Sequence, residues 1–165
     1  MLTEKQFKLI PILGLSILPF HVLEEYIGNY PVFLHTHYHT PRVLSYPHWL
    51  VNNLLFFLTL SIGLLVFLKD SKKNLPFGLG IIIWLFINFL EHTINSLLDH
   101  KLSPGIITSI LFLICVILSI LTITYNKMPV QIKKSFIIGV LYWIIPITLI
   151  LPLGILLLKF YPKYF

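Results

Sequence analysis

The side chains most able to do chemistry in this chain lie near its N-terminus, within an otherwise apolar segment. His21 is followed by Glu24 and Glu25. Because successive residues of an α-helix are about 100° apart, these three side chains fall within one arc of roughly 100° and converge. Imidazole and carboxylate groups bind transition metals and transfer protons. The spacing therefore indicates a candidate reaction centre on one face of a helix.

A second polar stripe lies in another apolar segment, between residues 88 and 99. Its members share one arc of a predicted helix and are Asn88, Glu91, His92, Asn95 and Asp99. Polar arcs on two apolar helices are costly when they face lipid. We therefore expect the two arcs to face each other.

Depth along the helices also favours this pairing. At a rise of about 1.5 Å per residue, His21 lies about 21 Å and His92 about 24 Å from the starts of their segments, which share one side. Asn52 and Asn53 belong to the second span, at about 48–68, which crosses in the opposite direction. They lie within about 8 Å of its start, which places them at the same depth as His21 and His92. The sequence thus predicts one polar layer, built from three helices, below one surface of the bundle.

This layer contains a candidate set of metal ligands. His21, Glu25 and His92 would form a two-histidine, one-carboxylate set, which suits zinc with a water in the open position. Glu24 is the alternative carboxylate ligand, and the glutamate that is not a ligand is the predicted general base. Asn88 is predicted to orient a ligand or bind an oxyanion. The predicted catalytic residues are therefore Glu24, Glu25 and Asn88.

The competing interpretation is a polar network that only ties the helices together, although adjacent carboxylates inside a membrane segment are a costly choice for structure alone.

The composition of the chain decides what kind of protein must position these residues. Of 165 residues, 57% are hydrophobic and 11% charged, with a mean hydropathy of +0.90, whereas an average soluble domain has about 25% charged residues. A membrane span needs about 20 apolar residues. Five such segments occur, at about 7–28, 48–68, 76–98, 104–125 and 135–160. We predict an all-α polytopic membrane protein, a single transmembrane domain over residues 1–165 with about five helices.

The distribution of positive charge predicts the orientation of these helices, because cytoplasmic loops are enriched in Lys and Arg. Five spans place eight basic residues on the side of the N-terminus, namely Lys5, Lys8, Lys69, Lys72, Lys73, Lys127, Lys133 and Lys134. Four lie on the other side, namely Arg42, Lys101, Lys159 and Lys163. We therefore predict a cell-membrane protein with its N-terminus in the cytoplasm and its C-terminus outside. The net charge of +6 lies in short loops and at the termini, so it does not predict a nucleic-acid partner.

Several of these residues resemble the motifs of a known membrane-protein family. The segment Phe-His-Val-Leu-Glu-Glu-Tyr at 20–26 resembles the motif that gives HxxEE-domain proteins their name. The segment from Asn88 to His92 resembles the Asn-x-x-x-His of that family, and the segment at 103–108 resembles its Pro-Gly segment that ends in threonine. The resemblance implies that His21, Glu24, Glu25, Asn88 and His92 form the family's polar site. It also marks Pro104, Gly105 and Thr108 as secondary positions, whereas Glu91 departs from the apolar residue expected there.

The predicted function follows from the one-sided position of the polar layer. We expect a zinc-dependent membrane hydrolase that acts on a membrane lipid or another amphipathic small molecule near the outer leaflet. One alternative is an isomerase-like enzyme that moves protons through Glu24 and Glu25 without a metal. Another is a metal or proton carrier, but the inner halves of the first and third spans are nearly free of polar residues.

A histidine-rich segment follows the first span. In an extended conformation, the alternation of His35, His37 and His39 would place three imidazoles on one side, where they would bind a metal or sense pH. The competing interpretation is an exposed polar loop without such a role.

The charge asymmetry predicts the outcome of cysteine labelling in intact cells. With the native thiol removed by Cys115→Ser, a cysteine introduced at Thr40 should react with a membrane-impermeant maleimide, because this loop is predicted to lie outside. Labelling at Thr40 only after the membrane is broken would reverse the topology and move the polar layer to the cytoplasmic leaflet.

Overall fold

The computed structural model describes Thr3, residues 6–39 and residues 45–160, and of residues 150–160 it describes the backbone only. The predicted labelling position Thr40 and the charged side chains of Lys5, Arg42, Lys159 and Lys163 lie outside what the structure describes. Within the described ranges the regular elements are helical. A 3₁₀ turn at Gln6–Lys8 leads into six helices, which are α1 (Leu9–Ile27), α2 (Tyr30–Tyr38), α3 (Tyr46–Lys69), α4 (Leu75–Asp99), α5 (Ile106–Asn126) and α6 (Ile132–Phe160).

Five of these helical segments are long and apolar enough to cross a membrane, as the sequence predicted. They are Gln6–Ile27, Tyr46–Lys69, Leu75–Asp99, Ile106–Asn126 and Ile132–Leu149. The fourth begins at Ile106, two residues later than predicted, because Gly105 has a φ of +96° and precedes the helix. The protein is therefore a polytopic helical bundle.

The central helix of this bundle is α4, which packs against α1, α3, α5 and α6. Its approach to α6 depends on small residues. A Cβ atom at Gly139 would lie 2.7 Å from Ile83 Cγ2 and 3.1 Å from the Gly80 carbonyl oxygen. Small residues at helix interfaces allow close backbone approach in membranes, where van der Waals packing drives helix association. This packing fixes the position of α4, which carries the predicted polar stripe.

The histidine-rich segment is a helix, so both interpretations of it, the extended segment with three aligned imidazoles and the exposed polar loop, are wrong. His35 and His37 lie on α2, about 200° apart around its axis, and point to different sides. His39 follows the helix with a left-handed backbone, at a φ of 50°. Polar partners on α4 explain the helical conformation, since His37 Nδ1 lies 2.7 Å from Asp99 Oδ2 and the Tyr38 hydroxyl donates to an Asn95 oxygen 3.0 Å away.

The close contact of α4 with α6 predicts a clear effect of adding a single methyl group. Gly139→Ala should lower the free energy of unfolding by about 1–3 kcal/mol, because the new Cβ atom meets packed side chain and backbone. The lipid-facing change Ile137→Leu, two residues away and half exposed, should shift it by less than about 0.5 kcal/mol. Reversible unfolding in detergent micelles measures both, and equal stability of the two variants would contradict the packing described.

Candidate metal centre

Three side chains from two helices meet in the interior of the bundle. His21 and Glu25 lie one turn apart on α1, and His92 lies on α4. Glu25 Oε1 is 3.5 Å from His21 Nε2 and 3.4 Å from His92 Nε2. The three residues are at most 4% exposed. The structure thus brings together the three predicted metal ligands, which we call the triad.

The outward nitrogen of the His21 ring is held by a chain of two hydrogen bonds. Thr108 Oγ1 lies 2.6 Å from Glu24 Oε2, to which it donates, and 2.9 Å from His21 Nδ1. Because the threonine proton points at the carboxylate, its oxygen accepts from Nδ1–H of the imidazole. This assigns the proton of a neutral His21 to Nδ1 and leaves a lone pair on Nε2, which faces Glu25 and His92.

His92 is held in a similar way by a serine. Its Nδ1 lies 3.0 Å from Ser103 Oγ, and that hydroxyl is oriented toward the Pro104 carbonyl oxygen at 3.5 Å. The Ser103 N–H is bonded in turn to Ser96 on α4. Both imidazoles of the triad therefore use Nδ1 for a hydroxyl partner and turn Nε2 inward.

The turn before α5 packs against the Cε1 edges of both imidazole rings. A Cβ atom at Gly105 would lie 2.7 Å from His92 Cε1 and 2.8 Å from His21 Cε1. The φ of +96° at this position is also one that residues with a side chain rarely adopt. Residue 105 must therefore be glycine for two reasons. Its backbone conformation is one that other residues rarely adopt, and the two rings occupy the space of a side chain.

Glu24 is not part of the triad, and its carboxylate caps α5. One oxygen accepts from Ile107 N at 2.9 Å, and the other accepts from Thr108 N at 2.8 Å and from the Thr108 hydroxyl. Gly105 is the N-cap residue of α5 and has no side chain to fill this role. A carboxylate from α1 therefore satisfies the first free N–H groups of α5 and lies near the positive end of its dipole.

The predicted catalytic residue Asn88 lies in a cavity of about 120 Å³ next to the triad. His21 and Glu25 line this cavity, together with Glu91, Asn52 and aromatic side chains from four helices. Glu91 Oε1 accepts a hydrogen bond from the Tyr30 hydroxyl, 2.8 Å away. Asn88 Oδ1 is buried and has no hydrogen-bond partner among the described residues.

The donor set of the triad fits a transition metal. His21 Nε2 and His92 Nε2 are both buried and lack a hydrogen-bond partner within the described part of the chain. The ligand atoms lie within 4.8 Å of one another. The separations of 3.4 and 3.5 Å from Glu25 Oε1 are close to the roughly 3.3 Å between neighbouring ligands of a tetrahedral zinc with bonds of about 2.0–2.1 Å. Two imidazoles and one carboxylate could therefore hold zinc without a large rearrangement.

Sequence reasoning found the triad but missed the residues that orient it. Ser103 was predicted only as part of the segment at 103–108 that resembles the family, although it bonds His92. Tyr30 was not singled out, although it bonds Glu91 at the wall of the cavity. A hydroxyl five residues before Thr108, in the Ser-Pro-Gly turn, was the available signal, but a single hydroxyl gives no indication of its partner on another helix.

These observations define a polytopic helical membrane protein with a buried histidine and glutamate cluster at the meeting point of α1, α4 and the turn before α5. A family model described as protein of unknown function with HXXEE motif matches residues 12–122. This range is 111 of 165 residues and contains the whole triad, so the chain belongs to the HXXEE family. No curated protein and no solved structure matches the chain.

The different positions of the two adjacent glutamates predict different effects of the same substitution. Glu25→Gln should abolish zinc binding and leave stability unchanged or higher in the absence of metal, because it removes a buried charge. Glu24→Gln should retain zinc with an affinity lower by about tenfold, since it acts through Thr108 and His21. It should also cost about 1 kcal/mol of stability through the weakened cap.

Elemental analysis and unfolding in the same detergent measure both properties of each variant. Loss of zinc from Glu24→Gln with full retention by Glu25→Gln would exchange the roles assigned to the two carboxylates.

Proposed function

We propose that this protein is a zinc-dependent membrane hydrolase whose metal is held by His21, Glu25 and His92. The observation that carries the proposal is the pair of buried Nε2 atoms that face one carboxylate oxygen, Glu25 Oε1, and have no hydrogen-bond partner among the described residues. A buried polar atom without a hydrogen bond costs about 1–3 kcal/mol. Two such atoms facing the same point are expected where a ligand completes the site.

The ligand set favours a catalytic metal over a purely structural one. Structural zinc sites have four protein ligands, whereas catalytic sites have three and leave one position open. Among the described residues, the histidine and acidic side chains that meet here number three. The cavity that the triad borders supplies room for a water molecule and a reacting group. When bound, zinc supplies a Lewis acid and activates water for attack.

The remaining polar residues of the cavity have suitable positions for proton transfer and orientation. Glu91 is the carboxylate of the cavity that is neither in the triad nor capping a helix, and we assign it as the proton acceptor in place of Glu24. Tyr30 donates a hydrogen bond to Glu91 and fixes its orientation. Burial and the neighbouring Glu91 carboxylate raise the pKa of the Tyr30 phenol well above its usual range, so it remains a donor at neutral pH. Asn88 presents its amide to the same cavity and is suited to orient a carbonyl group.

The surroundings of the site support a lipid or amphipathic substrate. The cavity lies between helices that are apolar enough to span a membrane, so a substrate dissolved in the membrane reaches it without crossing water. The other end of the bundle is packed with buried apolar side chains, among them Ile10, Leu60 and Ile81. A conduit would need polar groups along its length. This packing favours a one-sided pocket over a metal or proton carrier.

The side of the membrane on which the pocket opens is part of the proposal. The eight to four distribution of basic residues in the sequence favours a cytoplasmic N-terminus. The triad lies toward the C-terminal ends of α1 and α4, which this orientation places in the outer leaflet.

Purified protein should bind about one zinc per chain. The double variant His21→Ala, His92→Ala should bind none, whereas the control variant His35→Ala, on α2 and outside the triad, should bind as much as the wild type. Elemental analysis of the three proteins after zinc loading and desalting measures this. Equal trace metal in the wild type and the double variant would remove the metal from the proposal and favour proton transfer within the histidine and glutamate cluster.

Activity is tested separately, by mass spectrometry of lipid extracts from cells that express the wild type or Glu25→Gln. The wild type should deplete one lipid species and accumulate the products of its hydrolysis, and Glu25→Gln should restore the starting lipid. Identical extracts, with both proteins folded and present at equal levels, would exclude hydrolysis of an abundant membrane lipid.

A further inference from the structure

We propose that the substrate is a neutral lipid that binds with an acyl chain between α1 and α3 and its carbonyl group in the cavity beyond Trp49. This inference rests on the proposed function, and it adds the substrate class, the route of entry and the groups that recognise the carbonyl. Two adjoining features of the molecule support it, a polar cavity rich in donors and an apolar groove open to lipid.

The cavity is lined by donors and acceptors that lack a hydrogen-bond partner among the described residues, and the acceptors are Asn52 Oδ1 and Asn88 Oδ1. The indole N–H groups of Trp49, Trp84 and Trp143 are buried and lack a partner among the described residues, and all three rings line the cavity. Trp49 and Trp84 are 3% and 2% exposed. An indole N–H can only donate. Three such donors around one small cavity indicate a ligand that brings acceptor oxygens, as an ester carbonyl does.

The charges of the cavity favour a neutral acceptor over a phosphate group. Its lining includes the carboxylates of Glu25 and Glu91, and the described residues that line it include no Lys or Arg. With zinc bound, the single negative charges of Glu25 and Glu91 would together balance the two positive charges of the metal. An ester or amide carbonyl needs only donors, whereas a phosphate dianion in this position would lack a cationic side chain.

The apolar groove lies on the outside of the bundle between α1 and α3 and has a volume of about 500 Å³. Leu23 and Leu50 line it and are 53% and 56% exposed, so they face the hydrocarbon layer. Trp49 lines both the groove and the cavity. Its ring lies 6.3 Å from that of Tyr26 and 6.1 Å from that of Tyr46, which makes an aromatic wall between the two spaces. The groove and the cavity therefore adjoin at Trp49.

A second apolar groove provides an internal comparison. It lies among α4, α5 and α6, has a volume of about 340 Å³ and is lined by residues such as Phe86 and Ile117. None of its lining residues also lines the cavity. Membrane lipids that only coat the protein should occupy both grooves alike, whereas a substrate chain should prefer the groove that leads to the triad.

The experiment uses the full chain in lipid nanodiscs with a photoactivatable monoacylglycerol that carries a diazirine at the end of its chain. Labelled peptides are mapped by mass spectrometry, and zinc is measured in the same samples. Labelling should concentrate in the groove between α1 and α3. Leu50→Trp, which fills this groove from the lipid side, should remove most of that labelling, and the matched variant Ile117→Trp in the second groove should leave it unchanged.

Competing lipids test recognition of the carbonyl group. In the Glu91→Gln variant, which lacks the proposed proton acceptor and so leaves the ester intact, an unlabelled monoacyl ester should displace the probe better than the matched alkyl ether, which lacks the carbonyl, by about fivefold, the factor that one neutral hydrogen bond supplies. Trp49→Phe keeps an aromatic ring but removes the N–H, and it should reduce this preference. A monoacyl phosphate should compete less well than the neutral ester.

Equal labelling of both grooves, or no effect of Leu50→Trp, would overturn the proposed route of entry. Stronger competition by the phosphate or equal competition by the ether would overturn the neutral acyl ester as the ligand. Because zinc is measured in each sample, a wild-type protein that binds zinc but labels both grooves alike contradicts this inference alone, whereas a protein without zinc contradicts the proposed function.

Discussion

The cost of holding two imidazoles and a carboxylate inside an apolar bundle is the constraint on which the rest of this structure depends. His21, Glu25 and His92 are almost fully removed from solvent, and polar groups in such surroundings are tolerated only with partners. Each imidazole accordingly has one nitrogen bonded to a hydroxyl at the start of α5. Among the described residues the inner nitrogens face each other and Glu25, so the cluster could hold a metal ion.

The start of α5 links helix formation to the orientation of the site. The two rings occupy the space where a side chain at residue 105 would lie, so this position is glycine and has no side chain for capping. Glu24 supplies the missing cap from α1, and the same carboxylate accepts the Thr108 hydroxyl that holds His21. The adjacent glutamates therefore do different work. Glu25 faces the other two members of the triad, whereas Glu24 joins two helices and fixes one imidazole.

The short helix α2 closes the polar end of the bundle. Its side chains bond successive turns of α4, through Tyr30 to Glu91, Tyr38 to Asn95 and His37 to Asp99. These contacts involve the outer part of the polar stripe, which does not reach the triad. Tyr30 and Leu34 also line the cavity, so α2 forms part of its wall. The polar residues of α4 thus have three roles. His92 belongs to the triad, Asn88 and Glu91 line the cavity, and Glu91, Asn95 and Asp99 bond α2.

The sequence by itself determined the fold class, the positions of the five spans and the residues of the triad. It did so because hydropathy over about 20 residues reports a membrane span, and because helical spacing places i and i+4 on one face. It also indicated that α1 and α4 present their polar arcs to each other, since polar arcs inside a membrane avoid lipid. The roles of Glu24, Ser103 and Tyr30, and the helical form of the segment with His35 and His37, were decided only by tertiary structure. Glu24 and Glu25 are neighbours on the same helical arc, and local spacing does not distinguish them. Their different roles depend on the α5 N–H groups near one carboxylate and on His92 near the other, contacts that arise only when distant parts of the chain pack together.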